Sequence, residues 1–110
     1  MERVARNSEF LKFLNQNNNK VKKIIIEKAN KDQIYSICDC VLNILNGKLN
    51  VDDNKNKLIK KRRCMRKLLT KSSLKKKKKI LQTGGFLQIL IPAIISGLAS
   101  IATGLLKNDE

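Results

Sequence analysis

Histidine and tryptophan are absent from this 110-residue sequence, proline occurs once (Pro92), and only four residues are aromatic. Without histidine the side chain that most often serves as general base and zinc ligand is missing. The nine acidic residues are scattered, and there is no Gly-rich phosphate loop, nucleophile elbow or metal motif. The expectation is therefore a protein that is not an enzyme and carries no cofactor and no metal. Cysteine is scarce and odd in number: Cys38, Cys40 and Cys64. The polar stretch from Met1 to Asn7 lacks the apolar region of a signal peptide, so a reducing compartment is expected. Cys38 and Cys40 lie about 200° apart on a helix and do not share a metal easily. They read as small apolar core residues, with Cys40 the more exposed. Nor is there an internal repeat.

What the sequence does have is charge of one sign, unevenly placed. Residues 1–54 carry nine basic and seven acidic side chains, residues 55–79 carry fourteen Lys/Arg and no acid, and residues 80–110 sum to −1. A block that dense, without an acid for internal pairing, points to a polyanionic partner: nucleic acid or an anionic membrane.

Apolar spacing predicts an all-α protein: a small, loosely packed helical bundle, followed by a basic helix and a C-terminal hydrophobic helix. Three segments are expected, a helical module over 1–53, a basic segment over 54–83, and a glycine hinge with a hydrophobic helix over 84–110. In the first, Asn7 or Ser8 caps a helix with Phe10, Phe13 and Leu14 on one side, and Asn15 to Asn19 form a break. Val21, Ile24, Ile25 and Ala29 form the next apolar face, with Lys20, Lys22, Lys23, Glu27 and Lys28 on the wet side. The Ile24-Ile25-Ile26 triplet also permits a strand. Asn30 and Gln33 have capping-box spacing ahead of the stripe Ile34, Ile37, Cys38, Val41 and Leu45, which Gly47 ends. Asp52 or Asp53 caps a further helix carrying Leu58, Ile59, Met65, Leu68 and Leu69. Ser72 or Ser73 offers a cap before Lys75 to Lys79, whose five adjacent lysines surround a helix axis with charge.

Gly84-Gly85 is a flexible joint to Phe86–Leu106, twenty-one residues without a charge. As a helix this stretch is about 31 Å long, close to the hydrocarbon thickness of a bilayer. Ala93 and Gly97, then Ser96, Ser100 and Gly104, place small residues every four positions, a pattern that together with Phe86 suits membrane insertion or helix packing and self-association. Pro92 is expected to bend or restart the helix. Insertion, an interfacial position and packing onto the N-terminal helices are the alternatives; if inserted, the N-terminus stays cytoplasmic and the tail crosses.

The basic block has no aromatic residue, so it lacks the stacking platforms of single-strand and RNA readers. Phosphate contacts without sequence preference are expected on double-stranded DNA, from Lys57, Lys60, Lys61, Arg62, Arg63, Arg66, Lys67, Lys71, Lys75, Lys76, Lys77, Lys78 and Lys79. Arg62-Arg63, eleven intervening residues and Lys75 to Lys79 also match a bipartite nuclear-localisation spacing.

The order of these parts resembles the adenovirus-type virion core protein X (mu) family in the form found in adintoviruses and Polinton-like elements. The likeness spans about residues 34–106. It is carried by Leu42-Asn43-Ile44-Leu45-Asn46-Gly47, by the basic helix from Lys57 to Leu69, and by Lys75 to Lys79 with Ile80-Leu81-Gln82-Thr83-Gly84-Gly85-Phe86-Leu87 and the Pro92-containing tail. The resemblance implies a virion core protein that neutralises and condenses a double-stranded DNA genome, in the virion core and host nucleus, with a tail contacting membrane or capsid protein. It also implies processing by a viral cysteine protease at a glycine-rich site, for which Gly84 and Gly85 are the candidates. The alternative expectation is a tail-anchored, single-pass membrane protein whose lysines bind anionic lipid.

Overall fold

Polar side chains cap three of the helices, Asn30 and Ser73 as their spacing predicts and Asn18 at the end of the expected break, whereas Asn7, expected as a cap, makes no side-chain capping hydrogen bond. In a computed structural model that describes residues 2–51 and 55–108, with side chains up to residue 100, Asn18 Oδ1 accepts from the Val21 N–H at 2.9 Å. Asn30 and Gln33 form a reciprocal capping box, with Asn30 N donating to Gln33 Oε1 at 2.9 Å and Gln33 N to Asn30 Oδ1 at 2.8 Å. Ser73 Oγ accepts from Lys76 N at 3.1 Å. Each contact satisfies an amide that has no partner within its helix. Asp52 and Asp53, expected as caps, lie outside the described residues.

Eight helices result among the described residues: α1 (Glu2–Arg6), α2 (Ser8–Gln16), α3 (Asn19–Lys28), α4 (Lys31–Leu45), α5 (Lys55–Ile59), α6 (Arg62–Leu69), α7 (Leu74–Leu81) and α8 (Phe86–Asn108). The expected all-α small bundle is what forms, and the isoleucine triplet is helical. α4 ends in a Schellman arrangement: Gly47 takes φ +74°, Lys48 N donates to Asn43 O at 2.8 Å, and Gly47 N donates to Ile44 O at 3.1 Å. Glycine is needed there because a side chain is strained at positive φ.

One core unites the three segments. Leu11 and Leu14 of α2, Ile26 of α3, Ile34, Ile37, Cys40 and Val41 of α4, Leu68 of α6, Leu81 of α7, and Phe86, Leu87, Leu90, Ile91, Ala93 and Ile94 of α8 are all fully buried. α8 packs on α2, α3 and α5, while α4 packs on α1, α6 and α7. Of the alternatives for the apolar segment, packing onto the N-terminal helices is therefore the one observed for its first half. Among the described residues no single helix is long and apolar enough to cross a membrane, although α7 with the first half of α8 passes as a bent pair with a 93° angle. Gly84, at φ +52°, makes that bend. Pro92 lies inside α8 without ending it, since it removes a single i→i−4 hydrogen bond from a helix whose neighbouring turns are held by packing.

Several faces differ from expectation. Phe13 and Ile24 are half exposed, whereas Leu11 and Ile26 turn inwards. Three consecutive isoleucines leave the face of α3 undetermined by periodicity, and tertiary packing selects the stripe Lys22, Ile26, Ala29. Lys22 is consequently 6% exposed and not on the wet side. The single basic helix divides into α5 and α6 at Lys60-Lys61, leaving Ile59 outside. Cys40 is more deeply buried than Cys38, reversing the expected order. Burial pushes the Cys38 thiol up to about 11 and the Cys40 thiol to about 12, so neither is a thiolate at neutral pH.

Candidate nucleic-acid interface

α6 concentrates its charge on one face. At about 100° per residue, Arg62, Arg66, Arg63 and Lys67 fall within an arc of about 140°, opposite Met65 and Leu68. Met65 and Leu68 are buried while all four cations are exposed. The apolar face docks on α4 and α7. A short amphipathic helix is thus held by its core side so that a guanidinium-rich side faces solvent.

α7 divides its five lysines differently. Leu74, Lys77, Ile80 and Leu81 share one face by helical spacing, and this face is the buried one. Lys77, placed by its sequence among the phosphate-binding residues, is 4% exposed. Its Nζ donates to the carbonyls of Leu68 and Thr70, at 2.8 Å for Thr70, and lies 5.9 Å from the Tyr35 ring centroid. Those carbonyls close the C-terminus of α6, the negative end of the helix, where a cation is favourable. Lys78 acts similarly on α3: its Nζ donates to Glu27 O at 2.8 Å, while Gln82 Nε2 donates to Lys23 O and Glu27 Oε2, each at 3.0 Å. The charge run therefore does not ring its axis uniformly. Lys77 and Lys78 tie helix ends together, and Lys75, Lys76 and Lys79 remain at the surface.

The remaining expected contacts are placed as follows. Lys57, Lys60, Arg62, Arg63, Arg66, Lys67 and Lys71 are exposed and Lys61 is half-buried. Lys55, which the sequence reading left out, is exposed as well. No carboxylate occurs between Lys55 and Asn108. All ion pairs among the described residues lie in the N-terminal half: Arg3 and Arg6 with Asp32, Arg3 with Asp39, and Lys12 with Glu9. The exposed cations of α5 to α7 thus form a surface with no acid of its own, though the structure does not gather all of them on one helix face.

The small-residue stripe of α8 is partly occupied by the chain itself. Phe86, Ala93 and Gly97 are buried, Ser96 is half-buried, and Ser100 is exposed with its Oγ donating to Ser96 O at 3.2 Å. A Cβ at Gly97 would meet Leu49 Cδ2 at 3.3 Å and Asn50 O at 3.4 Å. Close backbone approach is therefore used within the molecule at this position. The side-chain environment of Gly104 lies outside the described residues. Gly84 is exposed and Gly85 half-buried in a hydrogen-bonded turn, in which Phe86 N donates to Thr83 O at 3.2 Å. Access to the Gly85–Phe86 bond requires the fully buried Phe86 to move. There is no cluster of potential metal ligands among the described residues.

Comparisons with protein-family models, with curated proteins and with solved structures find no match to this chain.

Proposed function

We propose that the protein binds double-stranded DNA through sequence-independent phosphate contacts and thereby neutralises and condenses it, as a viral or virus-derived core protein. Supporting this reading above all is the surface of α5 to α7, which exposes lysines and arginines from a stretch, residues 55–108, that contains no acidic side chain. Cations without an internal counter-charge release a polyanion's condensed counterions on binding, and that gain grows with every phosphate neutralised. The shortage of aromatic and amide side chains in the block supports backbone contacts over base reading. The resemblance described above points to the same class.

Titration of unrelated duplexes at several salt concentrations tests the proposal. With about eight phosphates neutralised, log K falls with log salt at a slope of roughly −7. Replacing Arg62, Arg63, Arg66 and Lys67 together by Gln should make the slope shallower by about 3 to 4, close to one per contact. A slope near zero in the parent protein, or an unchanged slope in the variant, overturns the assignment. A lipid-binding reading is favoured by one observation, that α7 and the first part of α8 together, as a bent pair, reach the length and hydropathy of a membrane span. It requires Phe86, Leu87, Leu90 and Ile91 to leave the core they fill, and recovery with membranes after nuclease and high salt would favour it.

A further inference from the structure

Between the end of α5 and the first two turns of α8 lies a concavity of about 560 Å³. Lys57, Lys60 and Lys61 form one wall, and Gln88, Ile89 and Pro92 form the other. α5 and α8 pack against each other, anchored by Leu58 on one side and by Phe86, Leu87, Leu90 and Ile91 on the other. The two walls are therefore fixed by the core instead of hanging on mobile side chains alone. Small-molecule sites fall in the range of about 300–1,000 Å³, so the groove suits a compact ligand.

Three lysines line this groove and none is paired with a carboxylate among the described residues. A phosphate monoester carries about −1.5 to −2 charge at neutral pH and presents three acceptor oxygens, a better match to three lysines than a singly charged diester. The opposite wall is of another kind. Ile89 and Pro92 are half-buried and offer apolar surface, and the exposed Gln88 contributes an amide with both donors and an acceptor.

We propose that this groove binds a phosphate monoester carrying an apolar or planar body: the phosphate lies against Lys57, Lys60 and Lys61, and the body lies over Ile89 and Pro92. A nucleotide and a single-chain lipid phosphate both present this chemistry. The inference concerns a discrete site and does not depend on duplex binding, which draws on the whole cationic surface.

Calorimetric titration of the full chain at about 150 mM salt, where long-range charge effects are screened, tests it with inorganic phosphate, adenosine monophosphate and lysophosphatidate below its micellar concentration. Adenosine and monoacylglycerol serve as phosphate-free controls. At least one monoester should bind about tenfold or more tightly than inorganic phosphate, and that affinity should fall about tenfold in Lys57→Gln/Lys60→Gln/Lys61→Gln. Lys75→Gln/Lys76→Gln/Lys79→Gln removes equal charge outside the groove and should change it by less than about threefold. Circular dichroism checks that each variant is folded, with Lys60→Gln alone as the milder substitute, and Ile89→Glu should lose the advantage over inorganic phosphate. The tighter monoester identifies the source of the ligand. Equal losses in the two triple variants, binding of neither monoester, or equal binding of the phosphate-free controls would overturn the proposal. Duplex affinity falls in both triple variants, so failure of this site is distinguishable from failure of the DNA-binding reading.

Discussion

The two halves of the chain handle charge in opposite ways. In the N-terminal half, cations meet carboxylates: Arg6 Nη2 donates to Asp32 Oδ1 at 2.8 Å, Asn7 Nδ2 to Asp32 Oδ2 at 2.8 Å, and Arg3 stands 3.7 Å from both Asp32 and Asp39, fastening α1 to α4. Residues 55–108 carry no acidic side chain, and there Lys77 and Lys78 donate instead to the carbonyl ends of helices, Lys77 at the end of α6 and Lys78 at the end of α3. A segment without acids is therefore not without internal electrostatics. Its fold draws on helix dipoles, and the lysines left over are the ones available to an external polyanion.

The comparison breaks most sharply if the apolar α8 of the C-terminal half does not belong to the same cooperative unit as the N-terminal half. Phe86 is fully buried at the start of α8, with Leu87, Leu90 and Ile91 beside it. Phe86→Ala should lower the unfolding free energy by about 3–5 kcal/mol, read as a fall in the denaturant midpoint at unchanged slope. A change within about 0.5 kcal/mol, the size usual for surface positions, would mean that α8 does not share the core and would reopen a separate membrane-seeking segment.

A smaller effect separates the two kinds of lysine. Lys77→Met keeps the aliphatic stem but leaves the Leu68 and Thr70 carbonyls without their donor, which should cost about 1–3 kcal/mol. Lys76→Met, at the preceding residue on the exposed side, should stay within about 0.5 kcal/mol. In DNA binding the order reverses: Lys76→Met should make the salt slope shallower by about one, and Lys77→Met should leave it unchanged in the folded protein. Equal stability losses would remove the distinction drawn between capping and partner-facing lysines.

This division was legible in part. Leu74, Lys77, Ile80 and Leu81 have helical spacing, so the inward turn of Lys77 could be found by treating the lysine as a member of the apolar stripe instead of as one of a run. The same holds for Lys22, four residues before Ile26 and seven before Ala29. Composition by blocks hides such positions because it counts charge without phase. The capping box at Asn30 and Gln33, the stop at Gly47 and the cap at Ser73 were legible, since each depends on residues within five of one another. The face of α3, the break between α5 and α6, and the groove joining Lys57, Lys60 and Lys61 to Gln88, Ile89 and Pro92 were not. They are fixed by packing between residues distant in sequence, which local spacing does not encode.

The N-terminal half supplies the mildest test, through pH. The Arg6 guanidinium and then the Asn7 amide, both hydrogen-bonded to Asp32, hold its carboxyl down at about 2, against an ordinary 3.8. In the unfolded chain Asp32 takes up its proton near the ordinary value, whereas in the folded protein it resists until about pH 2. Stability from this pair is thus fully present above about pH 4 and is lost as pH falls toward 2. Because the pair is exposed to solvent, the effect should be small and weakened by salt. Asp32→Asn should accordingly unfold at a slightly lower temperature than the parent at neutral pH, and the two should converge as pH approaches 2. Lys76→Met, within the stretch 55–108 that has no acidic side chain, should track the parent throughout the same range. A gap between Asp32→Asn and the parent that persists unchanged to pH 2 would show that Asp32 fastens α1 through its shape and not its charge, and the contrast between the two halves would lose its electrostatic basis.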